Sequence, residues 1–158
     1  MQNVENSIVE RELHFSRLLN APINLVWEVW TNSEHIKLWW GPDGFKNTIH
    51  KMEIKPNGEW SLIMHSPTGT DYEIKSVFRE IVKHKKIVYE QLNHFKYIAT
   101  IEFESKNDRT FINWTMLFES KASLIEAAKT YDVVEGFKQN AEKLVDYLSK
   151  NLNKTLLW

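Results

Sequence analysis

The pattern of apolar and polar positions divides the chain into three parts. From Ile8 to Leu19, Leu13, Phe15, Arg17 and Leu19 alternate against His14, Ser16 and Leu18, the period-two texture of a strand. Ala21-Pro22 breaks it, and proline suits the first position of a helix because its missing N–H is not needed there. Leu25, Val26, Val29 and Trp30 recur at helical spacing behind it. A second short helix is predicted from Asn32 or Ser33; it carries Ile36, Trp39 and Trp40, and Gly41-Pro42 ends it. From about Asn47 to Glu119 the texture returns to period two. Six strands are predicted there, separated by turns at Asn57-Gly58, Pro67-Thr68-Gly69, His84-Lys85-Lys86, Asn93-His94 and Lys106-Asn107-Asp108. Such short turns imply antiparallel neighbours, since parallel strands need long crossovers.

The last part reads as one long helix. Ser123-Leu124-Ile125-Glu126 has the form of a capping box, and Val134, Phe137, Ala141, Leu144, Leu148 and Leu152 make one apolar stripe. Gly136 stands inside it at a cost of about 1 kcal/mol relative to alanine, which a close packing approach or room for a ligand would explain. This order of elements predicts an α+β fold: a curved seven-stranded antiparallel sheet around a long C-terminal helix, with two short helices after strand 1 plugging one end. One domain is expected over residues 8–152, with tails at 1–7 and 153–158. A strongly bent sheet does not follow a straight helix along its whole length, so a cavity between the two is expected.

Composition then removes several classes of function. The 158 residues are 42% hydrophobic and 26% charged, which fits a folded core rather than disorder. A net charge of -1 supplies no global field for nucleic acid or anionic lipid, and the densest basic run, Lys83-His84-Lys85-Lys86, falls in a turn. No apolar run nears the roughly 20 residues of a membrane span, and the opening residues lack a secretory pattern, so a cytoplasmic location is expected. The absence of cysteine excludes a disulfide scaffold, a thiol nucleophile and a thiolate metal site. Six histidines show no HxxxH or HxH spacing, and no phosphate-loop, dinucleotide or G-x-S-x-G motif occurs. Neither a metal nor a cofactor is expected.

The number that adds something is the aromatic share, 13% with seven Trp. Strand parity turns Trp60, Met64, Tyr72, Phe78, Tyr89, Phe103, Trp114, Met116 and Phe118 inward, opposite Val134, Phe137 and Ala141 on the helix. Trp39, Trp40 and Phe45 stand where the mouth of a cavity would be. These residues are the candidates for lining an apolar pocket, the alternative being that they fill it. Tyr72, Tyr89 and Gln91 are the polar groups placed to orient a ligand. Adjacent helical residues diverge by about 100°, so Trp39 and Trp40 are not expected to face the same core. His65 and Asp71 flank a hairpin, but His65 has the opposite parity to Met64 and points outward, with Asp71 expected to bond the turn N–H groups. No catalytic residue is assigned. Gly41 and Gly44 suggest a flexible lid after the second helix.

A family resemblance rests on Ala21-Pro22, Val26-Trp27, Trp30-Thr31, Glu34-His35, Trp39-Trp40-Gly41-Pro42 and Gly44-Phe45. It continues through Pro56-Asn57-Gly58-Glu59-Trp60, Met64-His65-Ser66-Pro67, Gly69-Thr70-Asp71-Tyr72, Phe78-Arg79-Glu80-Ile81, Ile87-Val88-Tyr89 and Val134-Glu135-Gly136-Phe137-Lys138-Gln139. These resemble the group related to the C-terminal domain of the activator of heat-shock protein 90 ATPase, within the START/SRPBCC superfamily of helix-grip proteins typified by the birch-pollen allergen. Asn57 and Ser66 depart from it, glycine being commoner at both places. The resemblance runs from Leu13 to Leu148 and implies the helix-grip fold with a central cavity. The function expected is non-enzymatic binding of a small hydrophobic or aromatic molecule, by a monomer or homodimer. The alternatives are a protein-interaction module with a chaperone partner, and a small cyclase or hydrolase-type enzyme.

Overall fold

A computed structural model describes the backbone of residues 10–156 and the side chains of residues 10–151. The expected strand start at Ile8, the side chain of Leu152, the N-terminal tail and residues 157–158 lie outside the described residues, whereas the backbone of 153–156, expected as tail, continues the last helix. The elements are β1 (Glu12–Leu19), α1 (Ile23–Thr31), α2 (Ser33–Trp39), β2 (Lys46–Met52), β3 (Glu59–His65), β4 (Asp71–Val82), β5 (Lys86–Gln91), β6 (Tyr97–Lys106), β7 (Arg109–Phe118), α3 (Lys121–Tyr131) and α4 (Val133–Leu156). The sheet order β1-β7-β6-β5-β4-β3-β2 is antiparallel throughout, so β1 closes against the last strand and everything between is a meander. Register shifts between Ile49 and Lys51 and between Phe78 and Glu80 mark bulges, which raise the local twist and let the sheet curl around α4. This is the helix-grip architecture.

Four local features decide where the side chains of the site fall. Pro22 stands one residue before α1, its carbonyl accepting from the Leu25 and Val26 N–H groups. The Asn32 side chain caps α2 by accepting from Glu34 N–H at 3.0 Å. α2 then ends at Trp39, and Trp40 continues with extended dihedrals (φ -69°, ψ 142°) before Gly41 takes φ +91°. Because Trp40 has left the helix, the 100° divergence does not apply and both indoles are buried, a correction to the expectation from helical spacing.

The second correction concerns the C-terminal helix, which is two helices. The capping box is three residues earlier than expected: Ser120 Oγ accepts from Ser123 N–H, and Ser123 Oγ accepts from Ser120 N–H, both at 3.0 Å. α3 stops at Asp132, whose left-handed backbone (φ 54°) redirects the chain into α4. The apolar stripe of α4 accordingly starts at buried Val133, while Val134 is half-buried.

α4 is fastened to its surroundings at both flanks. The Arg17 guanidinium of β1 donates to both Glu142 carboxylate oxygens, at 2.8 and 3.2 Å. On the other side, His35 Nδ1 and the Tyr147 hydroxyl are 2.6 Å apart, joining α2 to α4. The sheet end under α1 and α2 is filled by rings: Trp27 packs edge-on against Phe103 at 5.5 Å, and Trp30 against Trp39 at 4.9 Å and Trp114 at 4.7 Å. Among the described residues no helix is long and apolar enough to cross a membrane.

Candidate functional site

The solid aromatic packing does not extend along the whole groove. Toward the opposite end, a cavity of about 140 Å³ opens between α4 and the concave face of the sheet. Its floor is Tyr89 on β5, Trp114 and Met116 on β7, and Trp40. Its roof is Phe137, Gly136, Val133 and Asn140 on α4. Half-buried Phe45, Tyr72, Phe95 and Tyr131, with exposed His94, form the mouth. These rings lean on one another, Tyr72 and His94 each lying about 6 Å from Tyr131, and Phe95 5.0 Å from it.

Of the residues expected to line the cavity, Trp40, Phe45, Met64, Tyr72, Tyr89, Trp114, Met116 and Phe137 do so. Trp39, Trp60, Phe78, Phe103, Phe118, Val134 and Ala141 do not. Strand parity places Trp60 and Phe78 on the concave face, but the two stack on each other at 5.4 Å beside the cavity rather than in it. Phe103 belongs to the plugged end, Phe118 backs Phe95 and Tyr97 from behind, and Trp39 is occupied with Trp30 while its indole N–H donates to Val29 O at 2.9 Å. Ala141 lies beyond the cavity along the stripe. The wall also contains residues outside that candidate set: Ile74 on β4 and Tyr97 opening β6 share the inward parity of Tyr72 and Phe103, whereas Phe95 and Tyr131 sit at a loop and a helix end where periodicity carries no signal. Gly136 explains itself here. A Cβ at this position would stand 3.2 Å from Pro42 Cγ, so the glycine lets the Pro42 loop close over α4.

That loop is pinned rather than left as a free lid. Gly41 N–H donates to Asn140 Oδ1 (3.1 Å), Asp43 N–H to Gln139 Oε1 (3.0 Å), and Lys143 Nζ to Pro42 O (3.2 Å). Asn47 Nδ2 donates to Trp40 O at 2.9 Å, tying the loop back to β2.

The described lining of the cavity contains no Asp, Glu, Lys or Arg side chain, and its one histidine, His94, stands exposed at the mouth. Its deep polar feature is a pair of phenols, Tyr89 and Tyr97, with hydroxyls 2.9 Å apart. Burial pushes both phenols well above the usual tyrosine range, because a phenolate there would lose its solvation. In the unfolded chain the two ionise near 10.0. Their folded pKa values are raised, so the stability they contribute is complete below that pH and declines as pH climbs through it. Melting curves across about pH 9 to 11 are expected to fall, phenolate absorbance from the pair appearing only with unfolding. An equally steep fall in the Tyr89→Phe/Tyr97→Phe double variant would refute this assignment.

The outward His65–Asp71 pair exists as a hydrogen bond. His65 Nδ1 and Asp71 Oδ1 are 2.7 Å apart, and Thr48 Oγ1 lies 2.7 Å from His65 Nε2. The turn N–H groups are not bonded by Asp71, as expected from sequence, but by Ser66, whose carbonyl accepts from Gly69 and whose hydroxyl accepts from Thr70. All three side chains lie on the convex face, away from the cavity. Among the described residues no cluster of three or more His, Asp or Glu forms a metal-binding set.

Comparison with known proteins agrees with this geometry. A structure from Nitrosomonas europaea superposes with a TM-score of 0.79 at 19% identity, over 96% of this chain and 99% of that one. A solution structure from Arthrobacter aurescens gives 0.83 at 20% identity, over 90% and 88%. One from Chromobacterium violaceum gives 0.76 at 16%, over 87% and 96%. At such identities the likeness is one of fold. No functionally curated protein matches the sequence. The family model described as Activator of Hsp90 ATPase homolog 1-like protein matches residues 20–149, most of the chain. The chain therefore belongs to the family of Activator of Hsp90 ATPase homolog 1-like proteins.

Proposed function

We propose that this protein binds a small apolar or aromatic molecule in the cavity between α4 and the sheet. The observation that carries the reading is the cavity itself: about 140 Å³, walled by rings, and reached through an aromatic mouth. A dry apolar cavity near this size holds a single benzene-like ring, and the free energy comes from apolar surface leaving water. The volume fits one ring and excludes a long acyl chain, so the ligand is smaller than those of lipid carriers.

Thermal denaturation against a panel of single-ring aromatics and long-chain fatty acids tests this. A ring compound present at about 100 times its Kd adds about 2.7 kcal/mol by mass action. For a domain of this length that corresponds to roughly 5–10 °C in Tm. The fatty acids are expected to leave Tm in place. Failure of every single-ring compound to move the curve would overturn the proposal.

A further inference from the structure

The hydrogen-bonding capacity left over inside the cavity says what kind of ring it takes. Between the Tyr89 and Tyr97 hydroxyls only one O–H can lie on the line joining them, and neither oxygen has another partner among the described residues. Whichever phenol accepts therefore keeps an undirected O–H of its own. Gln91 is buried, and its Nε2 donates to Asn93 O (3.1 Å) and Phe95 O (3.0 Å), which fixes the amide and leaves Oε1 without a donor. Asn140 is buried too; its Oδ1 accepts from Gly41 N–H, which leaves Nδ2 without an acceptor. Neither of these two atoms is among the sealed, unpartnered polar atoms, so both face space that a small molecule can reach. All four residues line one cavity.

Resting on the cavity reading above, we infer that the ligand is a single aromatic ring bearing an uncharged oxygen, a phenol or an aryl carbonyl, rather than a hydrocarbon or a carboxylate. The oxygen accepts from the spare tyrosine O–H, with Asn140 Nδ2 beside it as a second donor, and a ligand hydroxyl donates to Gln91 Oε1. A carboxylate would be stripped of water with no Lys or Arg side chain in the described lining to meet it, the His94 imidazole standing exposed at the mouth with Nε2 turned to Glu73 O. A hydrocarbon would leave the buried donors unanswered, which is where selectivity between near-isosteres arises.

The test is calorimetric titration of the intact protein, near pH 7, with toluene, p-cresol and benzoate, three probes of one ring each. The expected result is p-cresol about tenfold or more tighter than toluene, the scale of one or two neutral hydrogen bonds, with benzoate undetectable. Equal affinity for toluene and p-cresol, or measurable benzoate binding, would overturn the inference while leaving the cavity reading intact. No binding of any probe would overturn the cavity reading itself. In the Tyr89→Phe/Tyr97→Phe variant the preference for p-cresol is expected to shrink several-fold while toluene affinity holds; an unchanged preference also overturns the inference. The wild-type ratio decides the matter if that variant does not fold.

Discussion

Replacing Trp114 by alanine is expected to lower the unfolding free energy by about 3–5 kcal/mol, the range for deleting a buried Trp or Phe. Against a typical total of about 5–15 kcal/mol this is a large share. Trp114 is 1% exposed and is the ring at which the plugged end meets the cavity. It packs edge-on against Trp30 at 4.7 Å and Phe137 at 5.0 Å, and stacks on Trp40 at 6.0 Å. Its indole N–H has no partner among the described residues, so the loss is one of packing and not of a hydrogen bond. Chemical denaturation of the purified variant measures it directly. A loss below about 1 kcal/mol would mean that the ring is not the joint described here. The same deletion enlarges the cavity, so naphthalene is expected to raise the Tm of the Trp114→Ala variant more than that of wild type. Equal shifts would mean that the vacated space had collapsed.

The architecture was legible because two periods dominate the chain. Alternation along Trp60-Leu62-Met64 and along Ile112-Trp114-Met116-Phe118 shows which face of the sheet is apolar, and the stripe through Phe137, Ala141 and Leu144 shows what covers it. Parity reports a face and says nothing about position along the groove. For that reason Phe103, Trp60 and Phe78 were rightly turned inward and yet do not line the cavity, whose place is set by where α1 and α2 plug the sheet. Tyr131 and Phe95 were beyond reach for another reason: they sit at the end of α3 and in the β5–β6 connection, outside any repeat. The break between α3 and α4 was equally silent. It occurs at Asp132, a residue that tolerates the left-handed conformation without advertising it as glycine would. Gly136 did advertise something, and the structure supplies both of the reasons considered, contact with Pro42 and a place in the cavity roof.

Gly58→Ala is expected to cost about 3 kcal/mol, at the upper end for forcing atoms into a packed site. The sequence Asn57-Gly58 reads as a two-residue hairpin turn, but the connection between β2 and β3 is longer, running from Glu53 to Gly58, and the left-handed residue in it is Asn57 (φ 65°). Gly58 is needed for space. A Cβ there would stand 2.1 Å from Glu53 O and 2.9 Å from Lys55 O, both backbone atoms that cannot turn aside. The loop has little freedom to relax. Gly58 N–H donates to Lys55 O, Asn57 N–H donates to Phe78 O, and Phe78 N–H donates to Gly58 O, which bolts the turn onto the bulge of β4. Gly69→Ala is the comparison: φ is +91° but nothing lies within 4 Å of the added methyl, so only the left-handed strain of about 1–2 kcal/mol is expected. If the two variants proved equally stable, steric closure at Gly58 would be refuted. The consequence for the site follows from Trp60, two residues on, whose ring packs 5.0 Å from Trp40 and 4.9 Å from Tyr89. Both of those rings are cavity wall, so a displaced turn is expected to weaken single-ring binding along with the fold.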